Sequence, residues 1–379
     1  MKIVYIFKSM IQLAGMERIL SGKMNWLAEH GYNVYFITYE QGNYPLSFNH
    51  DNNIKHIDLN VPLYKRYKYG FLKKNWILWK MKKDFSRKIK HTISSISPNI
   101  IICTNYEYLL LDEIQKAAKS ISCSTILESH VARETELTAT HIKYPILHAL
   151  AKLYDKRKES TINKFNHVVA LTNGDARNWN TKNIMVIPNM SIYPESIKHE
   201  SSKRIISVGR LNYQKGYDML IDAWKIVSEK HPDWCLDIYG DGDLRDELQN
   251  KINNQKLSNT IFLKHSTTHI FEEYQRHEFS VMSSRYEGFS LVLVESMMYG
   301  LPCVTFNCPH GPAEIITNGE NGILVPPDNI EQLAKSINTL IENSLLRKEM
   351  GINARERSKE YDINPIMDKW VGLFNSISS

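Results

Sequence analysis

Two carboxylates bracket a short turn in the C-terminal half of the chain. Glu287 precedes Gly288, and Glu295 follows Glu287 with seven residues between them. Ser290 is predicted to cap a helix over residues 291–299, because a serine oxygen accepts a hydrogen bond from a first-turn N–H group. Free N–H groups and the helix dipole favour phosphate at that end. The arrangement is typical of a nucleotide diphosphate-sugar site, but the pair also fits an exposed loop glutamate and an ordinary helical one.

A second cluster places two cations on one loop. Residues 205–208 form a short apolar run that predicts a strand, and Gly209 then permits a sharp turn before Arg210 and Lys215. Ligands of open α/β sheets bind at the carboxyl ends of strands, where arginine and lysine suit phosphate oxygens. Two loop cations alone are also typical of a solvated surface. Their combination with the two carboxylates favours a binding site.

These motifs together resemble the retaining nucleotide-sugar glycosyltransferases of family 4. The resemblance rests on Val208 to Leu211, on Lys215-Gly216, and on the spacing of Glu287 and Glu295. Further matches are Pro188-Asn189, Tyr239-Gly240-Asp241-Gly242, Gly311 to Ile316 and Asn321 to Val325. They cover residues 188–330 densely and the N-terminal half more loosely. That family has the two-domain GT-B architecture and needs no metal ion or cofactor, and we expect the same here.

The resemblance also implies a role for each candidate residue. Arg210 and Lys215 would bind the diphosphate and stabilise its charge as the glycosidic bond breaks. Glu295 corresponds to a residue that binds the ribose hydroxyls, and Glu287 to one that contacts the donor sugar. Phe289 would line the sugar pocket or simply pack. The candidates for catalysis are Arg210, Lys215, Glu287 and His130, and those for substrate binding are Gly15, Gly209, Asp241, Gly288, Phe289, Ser290, Leu291 and Glu295.

The N-terminal half contributes two of these candidates. Gly15 lies after the first predicted strand, where relatives often have two glycines; Ala14 replaces the first. His130 follows the predicted strand 124–128, and a histidine at this point in relatives contacts the donor sugar near the reacting carbon. We expect it to face the interdomain cleft, although a lone histidine is often structural. Further candidates, for acceptor binding, are Arg133 and Glu134.

The donor is only partly constrained. Lys264-His265 replaces a glycine in a loop that often contacts the base in relatives, so the base stays open. Pro309 to Pro312 resembles a variant found in transferases that use galactose-type and N-acetylhexosamine donors for surface polysaccharides. We therefore expect a hexose or N-acetylhexosamine on a nucleotide, with UDP favoured.

Length and patterning predict two α/β domains. A chain of 379 residues exceeds one comfortable core. Apolar strands alternate with amphipathic helices on both sides of a polar stretch at 191–202, which favours doubly wound parallel sheets. We expect Rossmann-like domains at 1–188, on the acceptor side, and at 189–362, which binds the nucleotide-sugar. The resemblance implies that a helix at about 363–379 packs back on the first domain.

Composition limits the location and the partners. The net charge of +6 is mild and does not imply nucleic acid. The five cysteines show no C-x-x-C or zinc pattern, which is typical of reduced thiols in the cytosol. Apolar runs fall short of the roughly 20 residues of a membrane span, and the first is too short for a signal peptide. We expect a cytoplasmic protein, with peripheral attachment to the inner face of the membrane.

Residues 64–90 stand out by composition. They carry eleven basic residues and one acid, with tyrosine, tryptophan and phenylalanine interleaved. Cations mixed with aromatics suit an anionic membrane surface, which would bring the enzyme to a lipid-linked acceptor. A solvated helical face is the alternative, and single-stranded nucleic acid has no other support in the chain.

The sequence therefore predicts a retaining hexosyltransferase that extends a surface polysaccharide or oligosaccharide. An epimerase or phosphorylase on the same fold remains an alternative, as does a non-catalytic scaffold that binds sugar-nucleotide or lipid. A glycoside hydrolase would account for two carboxylates but not for the cations or the helix N-terminus.

Overall fold

The computed structural model describes residues 1–12, 15–104, 108–133, 145–194, 196–197 and 202–378, with the backbone alone at 71, 145–147, 150 and 378. The chain divides into two compact units. The first comprises Met1–Leu171, Asp175–Pro188 and Ile366–Ser379, and the second Thr172–Gly174 and Asn189–Pro365. Each unit is built around one parallel sheet, so the predicted α/β class with two parallel-sheet domains is confirmed.

The first unit contains a sheet of seven parallel strands in the order β3-β2-β1-β4-β5-β6-β7. Its strands are β1 (Lys2–Phe7), β2 (Asn33–Thr38), β3 (Lys55–Asp58), β4 (Ile100–Thr104), β5 (Ser124–Glu128), β6 (His167–Ala170) and β7 (Ile184–Val186). The order reverses next to β1, so the carboxyl ends of β1 and β4 flank a switch point, where ligands of such sheets bind.

Helices cover this sheet through apolar stripes. They are α1 (Gly15–Glu29), α2 (Phe71–Ile96), α3 (Tyr108–Lys119), α4 (Pro145–Ile162) and the short α5 (Asn173–Ala176), with a 3₁₀ turn at Leu63–Lys68. Phe85, Ile89 and Ile93 on α2 are fully buried in the core, and Arg66 in the 3₁₀ turn is also buried. Phe85 and Arg66 therefore do not belong to the exposed basic and aromatic surface that the composition of 64–90 suggested.

The second unit repeats this plan with six parallel strands in the order β10-β9-β8-β11-β12-β13. The strands are β8 (Arg204–Val208), β9 (Cys235–Tyr239), β10 (Ile261–Lys264), β11 (Phe279–Met282), β12 (Cys303–Phe306) and β13 (Gly322–Val325). The helices are α6 (Tyr217–Lys230), α7 (Arg245–Asn254), α8 (Ile270–Tyr274), α9 (Leu291–Met298), α10 (Pro312–Ile315), α11 (Ile330–Glu342), α12 (Ser344–Ser358) and α13 (Ile363–Ser378), with 3₁₀ turns at Tyr213–Lys215 and Lys359–Tyr361. The strand order changes direction between β8 and β11. The loops after these two strands carry the two sequence clusters.

Most of α13 belongs to the first unit. Trp370 on this helix is fully buried, and the ammonium of Lys23 on α1 lies 4.2 Å from its ring centroid. Within the described ranges, no helix has both the length and the apolar character needed to cross a membrane.

Candidate functional site

Two glycines shape the loop after β8. A Cβ on Gly209 would lie 2.9 Å from the Tyr217 hydroxyl and 3.0 Å from the Lys215 side chain. Gly216 has a φ of +63°, and a Cβ there would lie 2.1 Å from the Ser283 carbonyl oxygen. A larger residue at position 216 would push the loop away from the carboxyl end of β11, so Gly216 allows the two loops to meet.

The two cations of this loop differ in whether their side chains have an ion-pair partner. Arg210 is exposed, and its guanidinium makes no hydrogen bond or ion pair within the part of the chain that the structure describes. The Lys215 side chain is 14% exposed, and its Nζ lies 2.6 Å from Oε1 of Glu287. Asn212 fixes the intervening backbone by accepting a hydrogen bond from the Lys215 N–H at 3.3 Å. One cation is therefore available to a ligand, and the other is held by a carboxylate.

Glu287 is buried, which excludes an exposed loop glutamate. Its Oε1 accepts a hydrogen bond from the Ser284 hydroxyl at 2.6 Å in addition to the bond from Lys215. Its Oε2 makes no hydrogen bond to any described residue. One oxygen is held and the other is left for a ligand, so the carboxylate is preorganised to accept a hydrogen bond from a hydroxyl group.

Helix α9 begins at the predicted residue, but Ser290 does not cap it. The Ser290 side chain is buried, and its hydroxyl donates to the sulfur of Met282 at 3.1 Å instead of accepting from the first turn. The predicted cap is wrong because the serine packs against β11. The N–H groups of Ser290 and Leu291 meet no backbone acceptor among the described residues. These free donors at the positive end of the helix suit an anion.

Glu295 lies farther along α9 and is 3% exposed, so it is not an ordinary surface glutamate. The Tyr274 hydroxyl donates to its Oε2 at 3.4 Å. Burial, and to a smaller extent the charge of Glu295, raise the pKa of Tyr299. The carboxylate thus lies beside aromatic side chains that restrict its rotamers.

The turn between the carboxylates is packed from both sides. A Cβ on Gly311 would lie 3.6 Å from the Glu287 Cβ and 3.8 Å from the Gly288 carbonyl oxygen. The Phe289 ring packs on Tyr361, with 5.7 Å between the ring centroids. This packing holds the backbone of the turn, and the role of Phe289 in lining a sugar pocket stays a prediction.

Asp241 is engaged within its own neighbourhood. It accepts hydrogen bonds from His265 Nδ1 at 2.6 Å, from the Ser266 N–H at 2.9 Å and from Arg245 at 3.1 Å. The Ser266 hydrogen bonds, followed by His265, lower the pKa of the Asp241 carboxyl well below its usual range. Asp241 thus anchors the loop after β10, which the sequence associates with the base, and its contact with the nucleotide stays a prediction.

His130 lies at the carboxyl end of β5 in the first unit. Its side chain is 3% exposed, and its Nε2 lies 3.3 Å from Oε1 of Glu128. Burial lowers the pKa of the imidazole to about 4, although the charge of Glu128 opposes this shift. The ring is therefore neutral at neutral pH. Gly15 is the first residue of α1.

Arg133, a further candidate for acceptor binding, is buried by contacts within its own unit. It is 2% exposed, its N–H donates to Asp175 at 2.6 Å, and its guanidinium lies 4.9 Å from the ring centroid of Trp179. These contacts give it a structural role. Ala14 and Glu134 lie outside the described residues.

Acidic, histidine and cysteine side chains do not form a group of three or more that could hold a metal ion anywhere in the described ranges. Arg210, Lys215 and the N–H groups at the start of α9 supply positive charge at the carboxyl ends of β8 and β11.

Residues 191–357 match the family described as "Glycosyl transferases group 1". An uncharacterized glycosyltransferase of Haemophilus influenzae is 27% identical over 98% of this chain and 99% of its own length. The amylovoran biosynthesis glycosyltransferase AmsD of Erwinia amylovora is 27% identical over 99% of both chains. Residues 191–357 of this protein therefore form a glycosyl transferases group 1 domain.

The fold agrees with that of a solved structure. A mutant of S. aureus TarM, crystallised with UDP, α-GlcNAc-glycerol and Fondaparinux, superposes with a TM-score of 0.74 at 17% identity, covering 99% of each chain. The predicted GT-B architecture is confirmed.

The glycosyltransferase domain contains most of the candidate residues. Those within the matched range are Gly209, Arg210, Lys215, Asp241, Glu287, Gly288, Phe289, Ser290, Leu291 and Glu295, whereas Gly15 and His130 precede it. The range thus includes both loops whose side chains meet in the Lys215–Glu287 pair.

Proposed function

We propose that this glycosyltransferase is a retaining, metal-independent enzyme of family 4. It moves a hexose or N-acetylhexosamine from a UDP-sugar to a lipid-linked saccharide that grows into a surface polysaccharide. The observation that carries the proposal is one sheet edge that presents a free guanidinium, free N–H groups and a carboxylate with one open oxygen. The relative named for amylovoran biosynthesis and the UDP complex of TarM support the choice of acceptor class and donor.

The diphosphate binds beside donors that meet no acceptor among the described residues. The N–H groups of Ser290 and Leu291 and the guanidinium of Arg210 contact its oxygens, and Lys215 adds a second cation. Oε2 of Glu287 accepts a hydrogen bond from a hydroxyl of the sugar, and Glu295 binds the ribose. These groups are fixed before the donor arrives, so they stabilise developing charge without reorganising.

The chemical step breaks the bond between the anomeric carbon and the diphosphate oxygen. The diphosphate leaves with the bonding electrons, and its added charge is stabilised by Arg210, Lys215 and the helix N-terminus. The acceptor hydroxyl attacks the same face of the sugar, and its proton passes to the departing phosphate oxygen. His130 contacts the sugar near the reacting carbon as a neutral ring.

The two units have different tasks in this proposal. The first unit, with α13, lies on the acceptor side, and the second holds the nucleotide-sugar. A lipid-linked acceptor would be met at the inner face of the cytoplasmic membrane, so the first unit needs a surface that binds lipid.

The surface formed by residues 64–83 fits that need. Leu72, Trp76 and Trp79 recur at helical spacing on α2 and are 83%, 53% and 60% exposed. Lysines lie over exposed aromatic rings here: Lys73 over Tyr69, Lys74 over Tyr67, Lys80 over Trp76 and Lys83 over Trp79. Large exposed aromatics mixed with cations match the interface of an anionic bilayer.

Incubation with a panel of UDP- and GDP-sugars tests the proposal. We expect slow UDP release from one donor, unchanged by EDTA, and transfer with retention of anomeric configuration once a lipid-linked acceptor is supplied. NMR of the product reads the configuration. Inversion or an absolute requirement for a divalent cation contradicts the mechanism, conversion of the sugar without nucleotide release indicates an epimerase, and binding without turnover indicates a scaffold.

A further inference from the structure

A buried pair of charges lies directly beneath His130. Lys23 on α1 and Glu128, the last residue of β5, form an ion pair, and their side chains are 1% and 0% exposed. Trp370 on α13 lies over the same ammonium at 4.2 Å. Three elements that are distant in sequence thus converge on two charges that water does not reach. Burying such charges is costly, so the pair is weak evidence of stability alone.

The hydrogen bonding of this group is incomplete. Oε2 of Glu128, Nε2 of His130 and the hydroxyl of Tyr5 are buried and have no hydrogen-bond partner in the described part of the chain. Nε2 of His130 lies 3.3 Å from Oε1 of Glu128, within reach of a hydrogen bond but outside its angular range. A small rotation of the ring would close this bond. Buried unpaired polar atoms of this kind call for an explanation.

We propose that Glu128, held in place by Lys23, is a positioning residue that fixes the tautomer and orientation of His130. The carboxylate accepts the Nε2–H of the neutral ring, which leaves the lone pair of Nδ1 to accept a hydrogen bond from a hydroxyl of the donor sugar. The inference rests on the proposed function, in which His130 contacts that sugar. No proton is transferred in this arrangement.

The charges around the ring give the proposal a distinctive signature. The ionisable groups that face this cluster are Lys23 from α1, Glu128 from β5 and Tyr5 from β1. Burial is the largest influence on the pKa of His130 and lowers it. The charge of Glu128 raises this pKa, and the charge of Lys23 lowers it. Loss of the carboxylate and loss of the ammonium should therefore shift the titration of His130 in opposite directions.

Ring ¹⁵N NMR of the full chain, saturated with UDP-sugar, tests the tautomer. The His130→Gln variant identifies the His130 signals. We expect the Nε2–H form in the wild type, a mixture of tautomers and a lower pKa in Glu128→Gln, and a higher pKa in Lys23→Met. A single variant leaves one buried charge unpaired, which can unfold the unit. The Lys23→Met/Glu128→Gln double variant removes both charges, and it should also give mixed tautomers.

Transfer kinetics supply the second readout. Glu128→Gln should lower kcat about tenfold with little change in KM for the donor, the equivalent of one ordinary hydrogen bond in the transition state. Glu278→Gln is a matched control, because it removes the carboxylate of another largely buried ion pair, with Arg347 at 3.0 Å in the second unit. It should lower the Tm and leave both the tautomer and kcat unchanged.

The outcomes separate the two hypotheses. If His130→Gln transfers sugar as well as the wild type, the role of His130 in the proposed function is wrong, and the inference is overturned with it. If His130→Gln loses activity but Glu128→Gln and the double variant keep the Nε2–H tautomer and kcat, the buried pair is structural and the inference alone is overturned.

Discussion

Lys215 and Glu287 were each predicted as a site residue, but their contact gives them a joint property. Because Nζ of Lys215 lies 2.6 Å from Oε1 of Glu287, the lysine charge is partly compensated before a donor binds. Arg210 has no such compensation among the described residues. The two cations should therefore not be interchangeable, with Arg210 as the stronger anchor for free UDP.

Replacing either cation tests the role in transition-state stabilisation. Arg210→Ala and Lys215→Ala should each cost about 2–4 kcal/mol, mainly in kcat, because charge on the diphosphate grows as the bond breaks. Steady-state kinetics with saturating acceptor measure the effect. Lys225→Ala, which removes an exposed cation from α6, is the control and should change neither constant. A loss confined to KM would show that the cations only bind the donor.

The two carboxylates should separate nucleotide binding from sugar transfer. Glu295→Gln should weaken the binding of free UDP, because the ribose hydroxyls lose a charged acceptor. Glu287→Gln should leave UDP affinity unchanged or raise it, since Lys215 is freed, and should reduce transfer. Calorimetric titration with UDP and kinetics with the intact donor measure the two effects. Equal losses of UDP affinity in both variants contradict the assigned roles.

Residue types and spacing were enough to predict the candidate site residues, but not their hydrogen-bond partners. The spacing from Glu287 to Glu295 and the glycines around Arg210 are visible in the sequence. The partners Ser284 and Tyr274 are not, because they come from neighbouring segments with no motif of their own. The partners of Asp241 were hidden for the same reason, since His265 and Ser266 follow a different strand.

At the scale of elements, prediction succeeded where a strand is largely buried. The strands predicted at 124–128 and 205–208 are observed as β5 (Ser124–Glu128) and β8 (Arg204–Val208), which lie inside their sheets. β3, β7 and β13 each lie at a sheet edge, are four residues or shorter and have partly exposed positions. Such short runs carry little periodic signal.

A buried network ties β8 and β9 to the segment that leads into β11. Asp237 on β9 is 0% exposed and bonds Arg204 at 2.5 and 2.7 Å and His277 at 2.9 Å. Burial acts to raise the pKa of Asp237, but the bonds from His277 and Arg204 outweigh it and bring the pKa to about 2. The strands that carry the donor loops therefore depend on an ionised aspartate.

The pH dependence of unfolding tests this network. The folded pKa lies below the unfolded value of about 3.9, so the contribution is complete above about pH 5 and is lost as the pH falls toward 2. Asp237→Asn should lower the free energy of unfolding by about 2–3 kcal/mol at neutral pH and reduce the loss in acid. Denaturant unfolding at several pH values measures both effects.

Asp233→Asn provides the matched control for this prediction. Asp233 pairs with Lys203 at the surface, where the two side chains are 54% and 63% exposed, and solvent screens such pairs. The midpoint of denaturant unfolding of Asp233→Asn, and its loss of stability at low pH, should match those of the wild type. If Asp237→Asn behaves like this control, the network does not stabilise the second unit.

At the scale of the molecule, the composition of residues 64–90 anticipated a basic and aromatic surface, and the structure restricts it. Phe85 and Arg66 are buried, and Lys82 lies 3.6 Å from Glu113. Lys73, Lys74, Lys80 and Lys83 instead accompany exposed aromatic rings. Amino-acid composition could not make this distinction, because it depends on which face of α2 packs on the sheet.

Membrane docking of this surface is therefore tested with those four lysines and two tryptophans. The purified protein should sediment with vesicles that contain acidic lipid and not with neutral ones, and binding should weaken as salt screens the surface over about 10 Å at 0.1 M. Changing the four lysines to Gln should remove roughly 1 kcal/mol each, so affinity should fall by two to three orders of magnitude. Trp76→Ala with Trp79→Ala should weaken binding without changing its dependence on salt.

The same charge change elsewhere separates docking from general electrostatics. Lys225, Lys335, Lys348 and Lys369 are exposed on other helices, and changing them to Gln removes the same four charges. That variant should keep vesicle binding and transfer to a membrane-embedded acceptor. The variant of the docking surface should lose both. It should still transfer sugar to a soluble short-chain acceptor, because the donor loops belong to the second unit. Equal losses in the two variants, or equal binding to neutral and acidic vesicles, would show that α2 presents an ordinary solvated face.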